Sequence, residues 1–324
     1  MRKKYPFLWI ETVALALLLS GTACERRPLF LADNQARLDL TIHDTLPLVG
    51  RVPSGNLYET RLYDHASGRL SETSYTGPSG GEIFAPAGAY VLVCSTFDTE
   101  SVLFSEEGEL NTLTASTNPA PVSVGDLYRT VVRAVEWETT ESLDRMPVVR
   151  QPDYLFSATV QDLTIPFRDV DDDCFVIKAD AWPVVQTCRL VARGVTGQSW
   201  LADATVFLSG VAPGCRLAAH TLLEDASALW FSLGKSPDDR CLQAYFNTFG
   251  FIPGLSNQLY LLLTDTEGGR YLFHFDVTKQ CPRGWDAATI YVDLDFEIPE
   301  PVHGGGGFAP TVDEWNVVTH PVQL

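Results

Sequence analysis

An all-β chain of two tandem antiparallel β-sandwiches is predicted by three observations. Short runs alternate apolar and polar residues at period two, turn signals separate these runs, and no long 3.6-residue periodicity lies between them. The first run is Arg37-Leu38-Asp39-Leu40-Thr41-Ile42-His43, with leucine and isoleucine on one face and polar side chains on the other. Similar runs occupy 58–63, 88–97 and 163–167, punctuated by Ala66-Ser67-Gly68, Gly77-Pro78-Ser79-Gly80-Gly81 and Pro86-Ala87-Gly88. The stretch 105–153 is poorer in pattern and reads as long connections, with a short helix over 126–135.

A second set of strands follows the acidic run Asp169-Val170-Asp171-Asp172-Asp173, over 174–178, 184–192, 204–208, 229–233, 242–249, 258–264, 270–277 and 288–298. Thr264-Asp265-Thr266-Glu267-Gly268-Gly269 between two of them reads as a hairpin loop. Crossover helices of a parallel α/β fold are missing from the pattern. The acidic run offers oxygen ligands but lacks the glycine and distal glutamate of an EF-hand loop, so it reads as a solvated linker. The expected organisation is a signal peptide (1–23), an N-terminal segment (24–36), a first sandwich (37–168) and a second sandwich (169–324).

The first residues are an export address. Met1-Arg2-Lys3-Lys4 is basic, Thr12 to Leu19 is apolar, and Ser20-Gly21-Thr22-Ala23 precedes Cys24. The apolar run is too short to span a bilayer. Its end has the layout of a bacterial lipobox, where the cysteine after the cut carries diacylglycerol; the departure is Gly21, where leucine is usual. Cys24 is therefore the expected lipidation site. Palmitate-type acyl chains contribute about 0.8 kcal/mol per buried methylene, so a triacylated Cys24 would hold the chain at the outer membrane.

Charge and motif content exclude several function classes. The whole chain has a formal charge of −18, and removing 1–23, with Arg2, Lys3, Lys4 and Glu11, takes it to −20. That acidity argues against nucleic acid, whose binding depends on neutralising phosphates. Of seven cysteines, six remain besides Cys24. None forms a C-x-x-C pair and the six histidines are scattered, so no metal site is expected. Cys94, inside the strand-like Tyr90-Val91-Leu92-Val93-Cys94, reads as a buried free thiol. There is no G-x-S-x-G elbow, H-E-x-x-H motif or Walker loop. No catalytic residue and no cofactor is nominated, and the chain reads as non-enzymatic.

Four fragments together carry a resemblance: Cys24-Glu25-Arg26-Arg27-Pro28-Leu29-Phe30, the stretch 85–101, "CLQAYFNTFG" at 241–250 and "GGGGFAPTVDEW" at 304–315. The chain resembles the fimbrillin-type lipoproteins of Bacteroidales, especially those related to fimbrial anchor subunits. The resemblance implies transthyretin-like sandwiches, lipidation at Cys24, a surface-exposed location on the outer membrane, and a role in anchoring or assembling pilus-like fibres. Fimbrial subunits would then be partners by strand addition at an open sheet edge.

A glycan-binding surface lipoprotein is the alternative. It would need exposed aromatic platforms, for which Trp137, Trp182, Trp200, Trp230, Trp285 and Trp315 are the candidates. The tail beyond Gly304-Gly305-Gly306-Gly307 is expected to return, over 308–318, as the antiparallel partner of a strand at 289–298 rather than to serve another molecule.

Overall fold

The computed structural model describes residues 34–45, 57–135, 143, 145–168, 173–237, 240–282, 287–300 and 316–318. The expected signal peptide, Cys24, the acidic run at 169–172 and most of the tail lie outside these residues. In chain order the strands begin with β1 (Gln35–Ile42), β2 (Tyr58–Asp64), β3 (Leu70–Thr76), β4 (Gly80–Phe84) and β5 (Gly88–Thr96). There follow β6 (Val102–Ser105), β7 (Thr114–Thr117), helix α1 (Val122–Val135), β8 (Val148–Val149), β9 (Phe156–Ile165) and β10 (Phe175–Pro183). The second half supplies β11 (Gln186–Thr196), β12 (Leu201–Val211), β13 (Gly214–Arg216), β14 (Thr221–Leu222), β15 (Ser227–Ser232) and β16 (Gly234–Lys235). It ends with β17 (Cys241–Thr248), β18 (Gln258–Asp265), β19 (Arg270–Asp276), β20 (Thr289–Glu297) and β21 (Asn316–Val318).

The first sandwich is one seven-stranded sheet, ordered β3-β2-β5-β9-β10-β1-β4, that wraps round until its end strands meet in the β3–β4 hairpin. Period-two alternation drives this. Ala36, Leu38 and Leu40 of β1, Leu92 and Cys94 of β5, and Ile177, Ala179 and Ala181 of β10 meet in one core. The hairpin needs glycine at its end: Gly80 has φ +87°, and a Cβ there would come within 2.0 Å of the Leu38 carbonyl oxygen.

Strand β10 corrects the expected boundary. It lies in the first sheet, parallel to β1 in register Ala36↔Phe175 through Ile42↔Ala181 and antiparallel to β9 at its end. The chain thus leaves the first sandwich after Pro183, not at 168. Alternation announces a strand but is silent about which sheet will receive it.

In the second sandwich a sheet ordered β16-β17-β11-β20 packs on a sheet ordered β21-β19-β18-β12-β15-β8. Between them lies a core of Leu190, Val206, Leu261, Phe246, Phe273 and Ile290, among others. The hairpin loop expected after β18 is present: Asp265 Oδ1 accepts from the backbone N–H groups of Glu267 (2.9 Å) and Gly269 (2.7 Å). Most pairings are antiparallel. Besides β1–β10, the β11–β20, β8–β15 and β19–β21 pairs are parallel.

The weakly patterned region 105–153 turns out to be structural mortar. The helix expected at 126–135 begins four residues earlier, at Val122. Val124, Leu127, Tyr128, Val131, Val132 and Val135 recur at helical spacing and face the outer side of the second sandwich, against Phe207, Tyr260 and Leu272. This explains the unbroken apolar run Leu259-Tyr260-Leu261-Leu262-Leu263: the odd-numbered residues face the sandwich core, and Tyr260 faces the helix. Strands β6 and β7 join β13 and β14 in a four-stranded sheet that links the halves, with Cys215 opposite Ala115.

The tail also departs from expectation. Asn316–Val318 pairs in parallel with Tyr271, Leu272 and Phe273 of β19, not antiparallel with β20. The rest of the proposed returning strand, 308–315, lies outside the described residues. The free edge of β20 is already occupied near its start: the Gln280 amide donates to the Tyr291 carbonyl (3.0 Å) and accepts from the Tyr291 N–H (2.8 Å). A side-chain amide here does what a neighbouring strand would do.

Candidate functional site

Strand addition, the expectation from the sequence, needs a sheet edge; of the four sheet ends in the second sandwich, those at β20 and at β19–β21 differ in availability. On β20, Gln280 takes the Tyr291 backbone pair, Asp295 has φ +45°, and the register against β11 shifts between Arg193 and Val195. Such irregularity is a usual way to blunt an edge. Among the described residues, the outer edge of β19 meets only the three-residue β21. Inward of that edge, Phe273 and Tyr271 pack on Phe296 of the opposite sheet, with ring centroids 5.2 and 4.8 Å apart. The β19 edge therefore offers ladder groups backed by a stiff aromatic rim.

The first sandwich contains a charge cluster that sequence reading missed. Arg61 is fully buried on the outer face of β2. It pairs with Glu59 on the same face and, at 2.9 Å, with Glu107 from the segment after β6; it donates to Ser95 (3.3 Å) and lies over the Phe104 ring at 5.2 Å. Tyr75 donates to Glu59 (3.2 Å), and Tyr63 donates to the Glu107 carbonyl (2.8 Å). Burial, opposed in part by Arg61, pushes the Glu59 carboxyl above its ordinary range. The cluster pins the 104–107 segment onto β2 and β5. In the sequence Tyr58-Glu59-Thr60-Arg61-Leu62 reads as a strand with a solvated charged face; the cover arrives some 40 residues later.

The residues proposed from sequence fall as follows. Cys24, the lipidation candidate, is outside the described residues. Cys94 is buried and its thiol is pushed up to about 11 by burial; it accepts a hydrogen bond from Thr60 at 3.4 Å. Cys174, Cys188, Cys215 and Cys281 are likewise free thiols. Among the described residues no group of three or more His, Cys, Asp or Glu could hold a metal ion, and no helix is long and apolar enough to cross a membrane. Trp182 is exposed, whereas Trp200 and Trp230 are half-buried against the cores of the second sandwich. Trp137, Trp285 and Trp315 lie outside the described residues.

Solved structures of Bacteroidales proteins share this fold. A candidate adhesin from Bacteroides ovatus superposes with a TM-score of 0.57 at 18% identity, covering 94% of this chain and 99% of that one. The fimbrial anchor protein Mfa2 from Porphyromonas gingivalis gives 0.48 at 12% identity, over 80% and 90% of the two chains. A Bacteroides thetaiotaomicron structure described as a candidate polysaccharide-binding protein gives 0.47 at 11% identity, over the same shares. No curated protein matches the sequence. The fimbrillin-type resemblance read from the sequence thus agrees with the two-sandwich fold. One family model matches residues 59–232, from β2 in the first sandwich through helix α1 to the end of β15, and the chain belongs to that family, the domain of unknown function DUF5119.

Proposed function

We propose that the protein is a non-catalytic, lipid-anchored protein of the outer-membrane surface that anchors or helps to assemble fimbria-like fibres, taking a fibre subunit by strand addition. The observation that carries this reading is the contrast between the edges of β20 and β19: Gln280 already occupies the Tyr291 backbone pair of β20, while among the described residues β19 meets only Asn316–Val318 of the chain's own tail. An open edge supplies main-chain hydrogen bonds to an incoming strand, and alternate side-chain sites supply selectivity. The export sequence ending at Cys24 and the adhesin-like fold support the same reading.

The lipid half of the proposal is tested by fractionation. Cys24→Ala is expected to move the protein from the membrane fraction to the soluble fraction. A variant that still sediments wholly with outer membranes would sink the assignment.

The edge half is tested by deleting 308–324. Loss of a three-residue edge strand should cost about 1 kcal/mol, a fall of roughly 2–4 °C in the melting of a sandwich this size. The truncated chain should also capture fibre subunits more readily, because the β19 edge is then uncovered. Unchanged melting together with lost capture would show instead that the tail itself is donated to a partner.

A further inference from the structure

We infer that the groove between the outer face of β9–β10 and the loop after β13 is a binding site for a neutral polysaccharide chain, with the Trp182 indole as its stacking platform. This goes beyond fibre anchoring and uses a different surface. The groove encloses about 640 Å³ and is shallow; Trp182, Asp180, Lys178, Gln161 and Thr159 line its floor, and His220 stands in the opposite wall.

The platform is built rather than accidental. Trp182 is a large aromatic residue left 47% exposed, on the same face of β10 as the exposed Lys178 and Asp180. Its ring lies parallel to His43, with centroids 4.1 Å apart and planes 9° apart, and His43 Nε2 is held by Asp180 at 2.8 Å. The carboxylate fixes the imidazole and the imidazole fixes the indole, so little freedom is left to lose on binding. His43 enters from β1 and Trp182 from β10, which the parallel pairing brings side by side.

The chemistry around the ring selects the ligand class. Lys178, Asp180 and Trp182 are alternate residues of one strand, so they stand on one face about 6.6 Å apart. That spacing is close to the width of a sugar ring. Lys178 supplies donors, Asp180 acceptors and Gln161 both, which is what a ring of hydroxyls requires. A flat apolar face beside mixed donors and acceptors suits the C–H face and hydroxyl rim of a pyranose. The open shape suits a chain passing through rather than an enclosed small molecule. Asp180, together with a whole-chain charge of −18, disfavours an acidic polysaccharide.

Calorimetry of the whole chain against dextran, mannan and xyloglucan, with heparin and poly-L-proline as counter-probes, tests the assignment. At least one neutral polymer should bind. Trp182→Ala should weaken that binding about tenfold or more, while Trp182→Phe, which keeps a flat ring, retains most of it. Gln161→Ala should weaken it several-fold without touching the platform, which covers the case of an unstable Trp182→Ala chain. Binding by none of the neutral polymers overturns the inference. So does preferential binding of heparin or poly-L-proline, or equal affinity in wild type and all three variants. Fibre-subunit capture through β19 should be unaffected in the Trp182 variants, so the two readings fail separately.

Discussion

Arg61→Ala is expected to destabilise the first sandwich by about 3–5 kcal/mol, because it strands the buried Glu59 carboxylate without its partner. Typical domains have only about 5–15 kcal/mol in all, so the variant should melt far below wild type or fail to accumulate. Removing the guanidinium also frees Glu107 and takes the cation from above Phe104, so the 104–107 segment should loosen from β2 and β5. Thermal unfolding and amide exchange over 102–117 check both consequences. The double variant Glu59→Leu with Arg61→Met removes both charges at similar volume, and it should recover much of the loss, because a desolvated ion pair barely outweighs an apolar replacement. Near-wild-type melting of the single Arg61→Ala variant would mean that water or another group already satisfies Glu59.

The second large effect is expected at Tyr128, the fully buried residue at the centre of the helix–sheet contact. Its ring meets Phe207 at 5.3 Å and Tyr260 at 6.2 Å. Tyr128→Ala deletes this stack and leaves a cavity, at a cost of about 3–5 kcal/mol by analogy with buried aromatic truncations. A 14-residue helix is marginal alone and depends on its apolar face being covered. The variant should therefore lose helical circular dichroism before the sheets unfold, and proteases should cut within 122–135 first. Tyr128→Phe keeps the ring and should lose far less. Cooperative unfolding of helix and sheets together, with no early cleavage in the helix, would show that α1 is not a separable layer.

What the sequence revealed and what it hid divide along a physical line. The strands were legible wherever one face is buried: β1 and β20 announce themselves by alternation, and the β18–β19 loop by its Asp-Thr-Glu-Gly-Gly run. Sheet membership was not, because the pairing of Phe175–Pro183 with β1 rather than with β11 rests on contacts about 140 residues apart in the chain. The tail was placed on the wrong edge for a related reason. Gln280 satisfies β20 with a side chain, and nothing in a hydrophobic pattern shows that a backbone pair is already taken. The Trp182 platform was half legible. The tryptophan was a candidate, but its clamp depends on His43 arriving from a distant strand. The covered Arg61 cluster had no sequence signal apart from a polar face that would have looked at home in water.

The parallel pairing of β1 with β10 bears on how such a molecule would carry tension. A pull on the chain's start reaches β1 at Gln35, and a pull relayed from the second sandwich reaches β10 at Pro183. In a parallel pair these are opposite ends, so the two strands are drawn past each other along their length. The register bonds from Ala36↔Phe175 to Ile42↔Ala181 are then strained together, where a peeling geometry would break them one after another. Strand β4 flanks β1 on its other side and adds the Gln35↔Phe84 to Asp39↔Gly80 ladder to the same resistance. A tether attached ahead of β1 would meet the sandwich along its mechanically strongest direction.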